Sequence, residues 1–350
     1  MPPIRAAAAL LLAAACVVGC APKAADGAAD KPAAAGRTAI RFATDWRAEA
    51  EQGGFYEALA DGEYARRGLD VRIIQGGPGS NVPQLLAAGA ADLGIGSNSF
   101  GVMNLAAEHV PVRAVMATFQ KDPQVLLAHP GTGVASLADL RGRPILLADA
   151  GVGSFWPWLK TKYGLSDSQV RKYSFNSAPF IADPRAVQEG YVTSEPYTIE
   201  QTAHFRPVTL LLADAGYPGY AAMVLAPDRL TANKPAAVRA FVEASIVGWK
   251  DYLYGDSGPG DRLIEAADPD MRADVLAQAR ARMRDYGIVG SGDARACGLG
   301  CMTDATWARF FDMAAGLGVY PRSTDWRAAY TLAFLPKADQ TAHGAGRRRK

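Results

Sequence analysis

The chain has little histidine or cysteine and almost no net charge. Its 350 residues include four of each, and 37 basic side chains offset 35 acidic ones to leave +2. That balance excludes recognition of nucleic acid or an acidic surface through a global field, so any partner must be argued from local sites. The histidines, His109, His129, His204 and His343, stand at no metal-like spacing. No Gly-x-Ser-x-Gly elbow or credible Cys–His pairing accompanies them. We therefore expect no metal, no cofactor and no catalytic residue, and read the chain as a binding protein rather than an enzyme. The apolar run from Ala6 to Val18 is too short to span a bilayer as a helix, and no later stretch is read as a span.

What is present is ordinary for a globular protein: 49% hydrophobic and 21% charged residues, enough for two packed lobes. Arg5, the apolar run and the small residues that end it read as a secretory signal over 1–19. Its exit, Val17-Val18-Gly19-Cys20, resembles the bacterial lipobox, which implies a lipid on Cys20, cleavage just before it, and a working place outside the cytoplasm at a membrane. Residues 20–37 are mainly Ala, Lys, Asp, Pro and Gly. They cannot bury enough apolar surface to offset their ordering entropy, so they read as a flexible tether. The segment 337–350, ending Arg347-Arg348-Arg349-Lys350, reads as a disordered basic tail. With Cys16 in the signal and Cys20 lipidated, Cys297 and Cys301 remain. Outside the cytoplasm two nearby thiols read as a local disulfide, of small effect because the loop is short.

Along the mature chain strand and helix signals alternate. Ile40 to Thr44 reads as a strand, Phe55 to Arg67 as a helix closed by Gly68, and Leu69 to Ile74 as a second strand. A helix near Asn81 to Ala88, a strand from Asp92 to Gly96, a helix around Phe100 to Glu108 and a strand from Val112 to Ala117 follow. A second set begins with strands at Gln124 to His129 and Pro144 to Ala148 and runs to about Leu212. After a strand at Tyr220 to Ala226, helices are expected over Pro235 to Tyr254, Asp261 to Ala267, Met271 to Tyr286 and Thr303 to Ala315. Repeated strand–helix–strand units predict an α/β fold of mixed, mostly parallel sheets covered by helices. We expect lobe one over 38–130 plus 214–336, lobe two over 131–213, and a cleft between them at the strand ends.

Several segments, in order, resemble the type II solute-binding proteins of the nitrate/sulfonate/taurine and thiamine-pyrimidine-precursor group. They are Phe42 to Trp46 with Gly53-Gly54-Phe55-Tyr56, Gly68 to Val71 with Gly76-Gly77-Pro78 and Asn81, Leu86 to Gly94, Ser136 to Gly142, and Gly190 to Tyr197. The resemblance spans roughly Ile40 to Leu225. It implies a two-lobe periplasmic-binding-protein fold that closes on a small molecule and docks on the permease and ATPase of an ABC importer, with the protein a monomer. Asp45-Trp46 with Gly54-Phe55-Tyr56 leans towards the branch binding the thiamine pyrimidine precursor. Glu49-Ala50-Glu51-Gln52 departs from the asparagine- and histidine-containing stretch of those binders.

The residues themselves supply a set of contacts. Trp46 and Tyr56 follow the first strand and could present aromatic faces, with Asp45 as an acceptor; the competing use of such rings is core packing. Gly77 and Asn81 lie where a glycine turn meets a helix start, and Ser97 and Asn98 occupy the equivalent spot after the third strand; capping competes with ligand contact at each. In lobe two, Ser154 and Trp156 open a helix. Glu195, ahead of Pro196, is the strongest polar choice, since a carboxylate there would pair with the donors of an aminopyrimidine. Small anions, a receptor-coupled sensory role and a pyrimidine-synthesising enzyme of the same fold are the alternatives. That enzyme's cysteine-rich motif is missing from this sequence.

Overall fold

The computed structural model describes residues 36–336, all within one compact unit of the chain; the expected signal, Cys20, tether and basic tail lie outside the described residues. Ten strands form two five-stranded sheets. The first contains β1 (Thr38–Ala43), β2 (Leu69–Ile74), β3 (Leu93–Asn98), β4 (Val112–Phe119) and a late strand, β10 (Ala221–Pro227), in the order β2-β1-β3-β10-β4. The second contains β5 (Gln124–Ala128), β6 (Ile145–Leu147), β7 (Val170–Lys172), β8 (Val187–Tyr191) and β9 (Val208–Leu211), in the order β7-β6-β8-β5-β9. Each sheet has one antiparallel strand in its fourth place, β10 or β5, and that strand is the first to arrive from the other sheet.

This pattern follows from hydrophobicity. β10 is buried along its whole length and sits between β3 and β4, as a continuous apolar run requires. Leu93 to Gly96 of β3 are buried too. A methyl group on Gly94 would lie 2.3 Å from the Val82 side chain, so glycine admits the covering Val82–Ala87 helix. The Gly53–Ala60 and Pro235–Tyr254 helices pack equally closely. A Cβ on Gly248 would lie 2.2 Å from the Gly54 carbonyl oxygen, and one on Gly54 would lie 2.2 Å from the Trp249 ring. That packing fixes the start of the first helix and the loop leading into it.

Two expectations change in detail. The helix expected from Phe55 to Arg67 divides at Gly62, whose φ of +74° ends one segment before Glu63–Arg66 begins another. Residues 124–128, placed in lobe one from sequence, pair with β8 and β9 in the second sheet. The chain therefore crosses at 120–123, through a connection too short to show as a break in composition. Cys297 and Cys301 are joined, with Cα atoms 5.8 Å apart.

Candidate functional site

α/β sheets place their ligand contacts beyond the carboxyl ends of the parallel strands, and here segments that follow strands of the two sheets touch one another. After β1 the chain enters a loop held from behind by a glycine turn. Gly76 N–H donates to Trp46 O at 3.0 Å and to Thr44 Oγ1 at 3.1 Å, and a Cβ on Gly76 would lie 2.3 Å from the Thr44 carbonyl oxygen. This loop sets Asp45 and Trp46 at the cleft. The Trp46 indole N–H donates to Glu49 Oε1 at 3.0 Å, which fixes the ring's orientation. Burial raises the Asp45 pKa, partly offset by a hydrogen bond with the side chain of Ser97 at the end of β3.

Lobe two contributes the end of β8 and the loop after β7. Glu195 opens the Glu195–Ala203 helix, and its Oε2 accepts the Tyr191 backbone N–H at 2.7 Å. Burial pushes its carboxyl up to about 7, and the nearby charge of Glu51 adds to the effect. Thr193 donates its hydroxyl to Glu51 across the cleft, while its carbonyl accepts Gln278 Nε2 at 2.6 Å. Phe175 reaches over to Trp46 with ring centroids 4.9 Å apart, and Tyr197 donates to Asp274 at 2.7 Å. These contacts join the lobes in a closed arrangement.

The charges meeting here have one sign. Glu49 is held well above the usual carboxylate range by burial first, then by Glu51, Glu195 and Asp268. The Tyr191 phenol is raised by burial and then by Asp122, Asp45, Glu51 and Glu195, which places it among carboxylates from both lobes. Among the described residues, no Lys or Arg forms an ion pair with Asp45, Glu49, Glu51 or Glu195. Nor do three His, Cys, Asp or Glu side chains there converge as a metal group. Acid groups contributed by both lobes suit an organic molecule with several hydrogen-bond donors.

Of the residues chosen from sequence, Asp45 is hydrogen-bonded to Ser97, Trp46 follows Asp45 in the same loop and bonds Glu49, and Glu195 lies near enough to Glu49 to raise its pKa. Asn98 and Asn81 cap the helices they precede, accepting Gly101 N–H and Gln84 N–H at 3.0 Å each. Gly77 belongs to the turn behind the Asp45 loop, with open space where a side chain would be. Tyr56 is buried, its phenol pushed up to about 12 by burial and then by Asp268. Ser154 is buried and donates to Ala150 O at 2.6 Å. Trp156 is packed inside lobe two, and its indole N–H donates to Asp167 at 2.8 Å. Sequence reasoning did not single out Glu49, Glu51, Tyr191, Thr193 or Phe175 as contacts. The departure at Glu49 to Gln52 was the available signal for the first two.

The crossing segments are built as a braced hinge. Lys121 pairs with Asp214 of the return crossing at 2.8 Å. Gln120 donates from Nε2 to Ala117 O and Cys301 O, each at 2.9 Å, and its Oε1 accepts Ala294 N–H at 3.1 Å. The disulfide-closed loop therefore grips the residue where the chain leaves lobe one. Asp122, buried beside it, accepts Gln124 N–H and has a pKa raised by burial to about 7.

Known proteins share this architecture. The riboflavin-binding protein RibY of Chloroflexus aurantiacus is 25% identical over 288 residues, covering 81% of this chain and 82% of its own. The periplasmic aliphatic sulphonate binding protein SsuA of Escherichia coli superposes with a TM-score of 0.60 at 15% identity, over 84% of this chain and 92% of its own. The desulfurization enzyme DSZB superposes at 0.55 with 13% identity, over 85% and 97%. At such identities the structural matches show the fold, that of a periplasmic binding protein. Residues 49–254, more than half of the sequence, match the family described as NMT1/THI5 like, and the chain belongs to that family.

Proposed function

We propose that this protein is the extracytoplasmic solute-binding component of an ABC importer, held at a membrane by lipid on Cys20, and that it closes on a flat heteroaromatic molecule rich in hydrogen-bond donors. The observation that carries this reading is the meeting of Glu49, Glu51 and Glu195 from both lobes near Trp46, with Asp45 next to it hydrogen-bonded to Ser97 and all four held by burial above the usual carboxylate range. Closure requires a ligand that gains contacts in both lobes, because only differential affinity shifts an open–closed equilibrium. An aromatic face with acceptors on either side meets that need for a ring carrying amino, ring N–H or hydroxyl groups.

Two ligands fit: the aminopyrimidine precursor of thiamine, whose amino group Glu195 would accept, and riboflavin, named for the relative at 25% identity. Sulfonate, taurine and nitrate fit less well, because the acid groups that meet here, ionised or protonated, bring no positive charge to balance an anion. Catalysis is the weaker reading: the two described cysteines are bonded to each other, so no free thiol stands among the described residues.

A thermal-shift screen of the purified protein tests the proposal. The aminopyrimidine or riboflavin should raise the melting temperature by mass action, while taurine, alkanesulfonate and nitrate should leave it unchanged. Stabilisation by the anions alone would overturn it.

A further inference from the structure

Phe175 is a large apolar side chain with 52% of its surface exposed, and its backbone stands at a φ of +58°. Either feature alone is a cost. A left-handed backbone is unfavourable for a bulky residue, and strain of this kind collects at ligand clamps. The loop that presents the ring is fixed on both sides. Tyr173 is buried and its N–H donates to Leu147 O at 2.9 Å, Asn176 accepts Ala178 N–H at 2.9 Å, and Ser177 accepts Gln188 Nε2 at 3.0 Å. Firm anchors on either side of an exposed, strained aromatic mean that its direction is set by the fold. Its ring lies against the Trp46 ring of the opposite lobe, with centroids 4.9 Å apart and planes tilted by 49°, and 5.4 Å from the Tyr173 ring.

We infer that Phe175 is a ligand-contacting and specificity-determining residue: with Trp46 it forms an aromatic clamp that selects a planar ring. The inference rests on the proposed binding function and narrows its ligand class. At 4.9 Å the two rings touch directly, whereas a planar molecule between two aromatic faces needs roughly 7 Å, at the upper end of aromatic centroid spacings. Insertion therefore parts the lobes slightly at the clamp and replaces one aromatic contact by two. A non-planar solute loses the direct contact without gaining both replacements. The strain stays in the loop whether or not a ligand is bound, so stability does not account for the phenylalanine. Asparagine or glycine would suit this backbone better.

The test uses the full protein and two probes, riboflavin, whose emission is quenched on stacking, and the aminopyrimidine precursor of thiamine. Phe175→Asn should melt no lower than wild type yet bind the probe about tenfold or more weakly, in line with aromatic stacking on a flat base. Phe175→Leu should be similarly weakened, while Phe175→Trp should restore binding. If wild type binds and both Phe175→Asn and Phe175→Leu bind equally well, Phe175 is no contact and the inference falls while the functional reading stands. If Phe175→Asn loses melting temperature and Phe175→Trp fails to rescue binding, the ring serves the fold and the inference is again overturned. If wild type binds neither probe, the ligand reading itself fails and takes the clamp with it.

Discussion

Glu195 opens the helix that follows β8, and its Oε2 accepts the Tyr191 backbone N–H. Glu195→Ala should weaken binding of an aminopyrimidine or riboflavin by about 1–3 kcal/mol, or roughly 5- to 150-fold, because ligand donors would lose their acceptor. Titration calorimetry checks this, and unchanged affinity would remove Glu195 from the site. Trp46 and Trp156 looked alike in sequence, each at the start of a helical stretch. They differ through tertiary partners: Trp156 finds Asp167 and a buried niche, while Trp46 finds Glu49 and stays partly open. Nothing local encodes that difference. Glu51 and Thr193 escaped notice as a pair for the same reason, since their contact bridges 142 positions of sequence.

Elements were more legible than contacts. β2 and the Pro235–Tyr254 helix lie where alternation and periodicity placed them, because each buries a regular face or stripe. The break at Gly62 and the crossing ahead of β5 were not visible, since each turns on a few residues inside an otherwise continuous pattern. Close packing at the helix crossing yields a firm expectation. Gly248→Ala puts a methyl group onto the Gly54 carbonyl, so stability should fall by about 1–3 kcal/mol, read as a lower denaturation midpoint with an unchanged slope. The hinge brace yields another. Gln120→Ala takes the side-chain donor away from the Ala117 and Cys301 carbonyls in a buried place and should also cost about 1–3 kcal/mol. Opening the Cys297–Cys301 loop should cost about 2 kcal/mol, since a loop this short confines few unfolded conformations. Chemical denaturation of the reduced protein measures it, and an unchanged midpoint would show that the disulfide adds nothing.

At the scale of the molecule, two five-stranded sheets of matching strand order are accompanied by several buried acid groups. Burial raises the carboxyls of Glu195, Asp122 and Glu57 to about 7 and that of Glu189 to about 8. The folded state therefore holds these protons more tightly than the unfolded chain. Their contribution to stability is full below the ordinary carboxylate range of about 4 and is lost as pH rises through 7 to 8. The protein should accordingly melt higher at pH 5.5 than at pH 8.5, and Glu189→Gln should reduce that difference. A melting temperature that rises over this interval would contradict the account of the buried acids. The most direct test of the central claim is calorimetric titration of the wild-type protein with riboflavin, the thiamine aminopyrimidine and taurine in parallel. Saturable binding of a flat heterocycle and none of taurine is the expected result. Tight taurine binding with no response to either ring would contradict it.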